Sequence, residues 1–115
     1  MGTYKVNVMN EDMVVARVQY NTCLDFWDGR NWSCGSTGRH KGLTRLRNGD
    51  YVLILGTDWQ GEKDYAYIIS EREALNEILK SNNMDLLKLK KYKELNELYL
   101  SEFEDAEITD DDLEF

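Results

Sequence analysis

The chain has 115 residues, 42% of them hydrophobic and 31% charged, with a formal net charge of −8. That is enough for one modest core without metal or disulfide staples, and too little for a large internal substrate cavity. No apolar run reaches the roughly 18 residues of a membrane span, Gly2-Thr3-Tyr4-Lys5 forms no apolar export core, and two cysteines do not build a disulfide scaffold, so the expected location is cytoplasmic.

The charge is unevenly spread. Residues 1–48 carry seven Lys/Arg against four acids, a net of +3, and residues 49–115 carry seven against eighteen, a net of −11. Eight of those acids lie in 102–115, where there is no base. The pattern is a neutral body with a basic N-terminal half and an acidic tail, a hint of nucleic acid or of an interaction tail.

Tyr4, Val6 and Val8 alternate with Lys5 and Asn7, the period of a strand. Asn10-Glu11-Asp12 is a turn, and Val14, Ala16, Val18 and Tyr20 form the next alternating run. Leu24–Trp27, Asp28-Gly29 and Arg30–Trp32 form a hairpin pattern, Gly35-Ser36-Thr37-Gly38 a loop, and Leu43–Arg47, Asn48-Gly49 and Asp50–Leu55 a second hairpin. Tyr65–Ile69 is the last strand. Ser70-Glu71-Arg72-Glu73 is a capping box, and Ala74, Leu75, Ile78 and Leu79 follow at helical spacing until Asn82-Asn83. A second helix is expected from about Asp85 to Phe103, with Leu86, Leu89, Tyr92, Leu95, Leu98 and Tyr99 on one side. The predicted fold class is α+β: a twisted antiparallel sheet of five or six strands followed by two C-terminal helices, a domain over 1–103 and a flexible acidic tail over 104–115.

A catalytic site is hard to build from these residues. The single histidine, His40, sits between Arg39 and Lys41, and flanking cations predict a lowered imidazole pKa. Cys23, Cys34 and His40 are one ligand short of a structural zinc site and lack paired cysteine spacing. The chain is expected to be no enzyme, with no cofactor and no metal. A two-residue Asp28-Gly29 turn would place Trp27 opposite Arg30, Asp25 opposite Trp32 and Cys23 opposite Cys34, all on one face. Without an export signal, the cysteines are expected as free thiols.

That face would carry Trp27, Arg30 and Trp32, with Arg39, His40, Lys41, Arg45 and Arg47 beside it. Flat rings interleaved with cations suit single-stranded nucleic acid, because bases stack on the rings and cations follow the phosphates. The alternative is that the two tryptophans are core and the arginines a solvated rim.

The chain ends Asp110-Asp111-Asp112-Leu113-Glu114-Phe115. These last residues resemble the C-terminal tip of bacterial single-stranded-DNA-binding proteins, an acidic run closed by an aliphatic residue, usually proline, and a terminal phenylalanine. Asp110, Asp111, Asp112, Leu113 and Phe115 match, and Glu114 stands where proline is usual. The resemblance implies docking of a replication or repair protein, whose pocket takes the Phe115 ring and whose basic residues take the carboxylates. It covers six to eight residues and does not extend to the body. A solubilising acidic run is the other reading of the tail.

Together these features lead to a small non-enzymatic accessory protein that binds single-stranded nucleic acid and recruits a host protein through its tail. The alternative is a phage or mobile-element inhibitor that mimics DNA or acts as a decoy against a host replication, repair or defence protein. A homodimer through the helix at 85–103 is also expected.

Overall fold

The computed structural model describes residues 4–27 and 29–103, and its class is α+β. Strands β1 (Lys5–Asn10), β2 (Met13–Gln19), β5 (Arg39–Arg45), β6 (Tyr51–Thr57) and β7 (Tyr65–Ile69) form one sheet in the order β2-β1-β7-β6-β5. Strands β3 (Phe26–Trp27) and β4 (Trp32–Ser33) form a separate ribbon. The main sheet is mixed: β1 and β7 run parallel, pairing Val8 with Ala66 and Met9 with Tyr67, and the other neighbours are antiparallel. This corrects the expectation of an antiparallel sheet. Local hairpin signals settle which strands pair within the β1–β2 and β5–β6–β7 units, but the seam between the units joins residues far apart in sequence.

Strand β6 lies at the centre of the fold's two apolar clusters, which explains its near-continuous Tyr-Val-Leu-Ile-Leu run. On one face Tyr51, Leu53, Leu43 and Ile69 pack with Ala74, Leu75, Ile78, Leu87, Tyr92 and Leu95 from the helical half. On the other, Val52, Ile54 and Ala66 pack with Val6, Val8 and Val18. The sheet curls over this second cluster, bringing the end of β2 back to β5 and β6. Tyr20 lies over Gly56 and Asn21 over Gly42, and a Cβ at either glycine would overlap them. Asn21 then imitates a strand: its Nδ2 donates to the Leu43 carbonyl and its Oδ1 accepts from the Leu43 amide, each at 3.1 Å.

Helix α1 (Glu71–Ser81) starts at the predicted capping box, with Glu73 N–H donating to Ser70 Oγ and Ser70 N–H donating to Glu73 Oε1, both at 3.1 Å. It ends at Asn82, which adopts the left-handed conformation at φ 58°. The second predicted helix is broken. Residues Met84–Lys88 and Lys90–Tyr92 form two 3₁₀ turns, Leu89 between them is extended, and α2 covers only Lys93–Glu102. The break turns Leu87 and Tyr92 into the core, where the Tyr92 hydroxyl donates to the Leu43 carbonyl at 2.9 Å. Leu89, expected on the buried side, is exposed instead. The homodimer surface expected at 85–103 is therefore not one continuous helix, and most of its apolar side chains face the protein's own core.

Two hairpin registers also differ from expectation. β3 and β4 pair Phe26 with Ser33 and Trp27 with Trp32, a slip of two residues from the register of a tight Asp28-Gly29 turn. Cys23 and Cys34 are thus not cross-strand partners, and both are free. β5 begins at Arg39, so the strand expected from Leu43 starts four residues earlier and includes Arg39-His40-Lys41. Its turn to β6 closes at Leu46 and Asp50, with the Leu46 amide donating to the Asp50 carbonyl at 2.8 Å. Gly49, at φ 100°, occupies the left-handed position of this three-residue loop. Among the described residues no helix is long and apolar enough to cross a membrane.

Candidate functional site

A register slip of two residues preserves which face each side chain occupies. Trp27 and Trp32 therefore still share a face, and they are directly opposite one another. Their ring centroids are 5.8 Å apart with planes inclined at 53°, and they are 53% and 62% exposed. The alternative that they are core residues is set aside by these exposures. Arg30, in the loop that joins them, is also exposed. Leu24 is buried as expected, but so is Asp25, expected on the tryptophan face; both precede β3, where strand alternation does not yet apply.

A third tryptophan completes the site. Trp59 is 52% exposed on the loop after β6. Its indole Nε1–H donates to the Thr37 carbonyl at 3.2 Å, and its amide donates to Thr57 Oγ1 at 3.0 Å. The ring lies flush on Gly38, where a Cβ would come within 2.8 Å of Nε1. Trp32 and Trp59 then wall an open cleft of about 320 Å³ with Asn31, Thr37, Gly38, His40 and Asp58. Sequence reasoning did not single out Trp59. The available signal was a tryptophan set among Thr57-Asp58 and Gln60-Gly61-Glu62, a stretch too polar to enclose it.

His40 forms the floor. Nδ1 is 2.6 Å from Oδ2 of the buried Asp25, and Nε2 is 2.8 Å from Oδ2 of Asp58. Both bonds require hydrogen on both ring nitrogens, which is the imidazolium. Burial acts to lower the His40 pKa, but the hydrogen bonds to Asp58 and Asp25 outweigh it, and the net direction is up. The predicted lowering is corrected: successive strand side chains point to opposite faces, so Arg39 and Lys41 project away from the imidazole. Asp25 also accepts from the Lys41 amide at 2.9 Å, and its carbonyl accepts from Asn83 Nδ2 at 3.2 Å. It thereby pins the tryptophan ribbon to β5 and to the end of α1.

The expected cations do not form a basic track. Arg39 is paired with Glu62 and donates to Thr57 Oγ1 at 3.0 Å. Lys41 reaches Glu77 at 3.1 Å. Arg45 is paired with Glu94, donates to the carbonyls of Gly49 and Lys91, and lies over the Tyr51 ring with its guanidinium carbon 4.8 Å from the centroid. The hydrogen bond to Glu62 raises the Arg39 pKa and that to Glu94 raises the Arg45 pKa. Arg47 is exposed in the β5–β6 turn, away from the tryptophans. The structure thus brings together Trp27, Trp32 and His40, adds Trp59, and assigns Arg39, Lys41 and Arg45 to internal ion pairs.

Among the described residues no group of histidine, cysteine and carboxylate side chains is arranged to hold a metal ion. The Cys23 and Cys34 thiols are pushed up in pKa by burial, which disfavours the nucleophilic thiolate. What the site offers chemically is flat, solvent-facing aromatic surface over a polar floor. Asp110, Asp111, Asp112, Leu113 and Phe115 lie outside the described residues. No family model, curated protein or solved structure matches the chain.

Proposed function

We propose that this is a small non-enzymatic binding protein of the cytoplasm whose tryptophan cleft stacks the bases of single-stranded nucleic acid. The observation that carries the reading is the exposure of Trp27, Trp32 and Trp59 on neighbouring elements. Exposing three indoles forgoes hydrophobic burial, and large exposed aromatic patches mark binding sites. Each base stacked on such a ring contributes about 1–3 kcal/mol. The paired state of Arg39, Lys41 and Arg45 means that stacking, more than phosphate contact, holds the ligand at this cleft. Trp32→Ala should weaken oligonucleotide binding by about 1–3 kcal/mol while leaving the melting temperature near that of the wild type. A large fall in melting temperature, or unchanged affinity, would contradict the reading.

The acidic tip is proposed as the recruiting element, presenting the Phe115 ring and α-carboxylate to a replication or repair protein, a recurring mode of terminus capture. A second reading, a protein-binding decoy, draws on the −11 charge of residues 49–115 and on the carboxylates that neutralise the expected cations. It differs in outcome: a decoy retains a host protein and leaves oligonucleotides unbound.

A further inference from the structure

Helices α1 and α2 cover the sheet over β5 and β6 and leave part of the same face open over β7, β1 and β2. Tyr65 and Tyr67 project there, the cross-strand partners of Leu55 and Leu53. They are 50% and 36% exposed, with ring centroids 6.3 Å apart and planes inclined at only 22°. Met9 is the parallel partner of Tyr67, so Lys5 and Asn7 of β1 follow on this face by alternation, and Arg17 pairs with Asn7. Lys5, Arg17, Lys63 and Tyr65 line one depression of about 580 Å³. Lys63 and Tyr65 also line the neighbouring one that holds Arg39 and Glu62.

The charge on this face differs from that of the tryptophan cleft. Lys5, Arg17 and Lys63 form no ion pair with any described residue. Of the nearby acids, Glu77, which borders Tyr67, is held by Lys41 and Lys80. Asp64 lines the same depression and accepts from the Tyr4 hydroxyl and the Thr57 amide, so three cations there face one carboxylate. Stacked rings flanked by an excess of cations on an open sheet face match a polyanion that also carries flat rings.

We infer that the open face of β2, β1 and β7 is a second contact surface for single-stranded nucleic acid, with Tyr65 and Tyr67 taking bases and Lys5, Arg17 and Lys63 taking phosphates. The inference rests on the nucleic-acid reading above and supplies the phosphate contacts that the tryptophan cleft lacks. Each cation that neutralises a single-strand phosphate adds about −0.7 to the slope of log affinity against log salt, so three add about −2.

The test measures binding of a fluorescein-labelled oligothymidylate to the full chain by anisotropy across a salt series. The proteins are the wild type, the triple variant Lys5→Ala/Arg17→Ala/Lys63→Ala, Tyr65→Ala, Tyr65→Phe and Trp32→Ala. The triple variant should lose more than about tenfold in affinity near 50 mM salt and flatten the slope by about 2. Tyr65→Ala should weaken binding and Tyr65→Phe should preserve it, with thermal melts confirming that each variant is folded. If the triple variant binds like the wild type while Trp32→Ala weakens, the inference is overturned and the cleft reading stands. If the triple variant weakens and Trp32→Ala does not, the cleft reading fails and the inference stands. Absence of binding by the wild type overturns both. A labelled peptide of residues 104–115 is the control occupant. If only that peptide loses affinity for the triple variant, the face seats the acidic tail, and the nucleic-acid assignment is overturned.

Discussion

His40 bonds two carboxylates at once, so its charge state governs how firmly β5 holds both the tryptophan ribbon and the Asp58-Trp59 loop. Its pKa is raised above the ordinary value of about 6.5, so the folded protein binds this proton more tightly than the unfolded chain does. The resulting stabilisation is complete below about pH 6.5 and is lost as pH rises through the folded value. His40→Gln should therefore cost most stability at mildly acid pH, with the gap to the wild type narrowing as pH rises. Melting curves at several pH values check this, and a gap that is constant with pH would contradict it. The sequence showed the cations beside His40 but not the acids facing it. Strand alternation separates neighbours in sequence and brings Asp25, fifteen residues away, within hydrogen-bond reach. The same blindness hid Glu62, Glu77 and Glu94, which occupy Arg39, Lys41 and Arg45.

The elements read most clearly where their signals are local. The capping box at Ser70, the Asn82 stop and the alternating strands all depend on residues within one or two turns of each other. The parallel seam between β1 and β7 and the extended break at Leu89 depend on distant packing, which no short window contains. Sheet closure is another such feature, because it needs Gly42 and Gly56 opposite residues 20 and 21. Gly56 has no positive φ to explain it; the Tyr20 ring does. Gly56→Ala should destabilise the fold by roughly 1–3 kcal/mol through overpacking. Chemical denaturation measures this, and a neutral result would mean that the sheet edges do not close as described. Tyr20→Ala in the same background should recover part of the loss, since it removes the obstructing ring.

Across the whole molecule, charge and aromatic surface are arranged differently from what composition suggests. The basic N-terminal half does not make a basic face: Arg39, His40, Lys41 and Arg45 each bond a carboxylate from the acidic second half. Lys5, Arg17 and Lys63, which form no ion pair with a described residue, lie instead on the open sheet, and the aromatic surface is divided between the tryptophan cleft and the Tyr65–Tyr67 stack. The tail adds a prediction at this scale. Deleting Phe115 removes one ring and moves the α-carboxylate, yet leaves the acidic run intact. Capture of a partner that binds the single-stranded-DNA-binding tip should then be lost, whereas Asp111→Asn should only weaken it in a salt-dependent way. Equal capture by the wild type and the Phe115-deleted protein would reduce the tail to a solubilising run.

All three tryptophans in the chain are exposed at the cleft or on its ribbon, so intrinsic tryptophan emission reports the proposed site without a buried background. Titration of the wild-type protein with oligothymidylate, followed by that emission, is the most direct test of the central claim. Base stacking predicts saturable quenching that is reduced in Trp32→Ala. Emission that stays unchanged while a labelled oligonucleotide binds, or no binding at all at low salt, would contradict it.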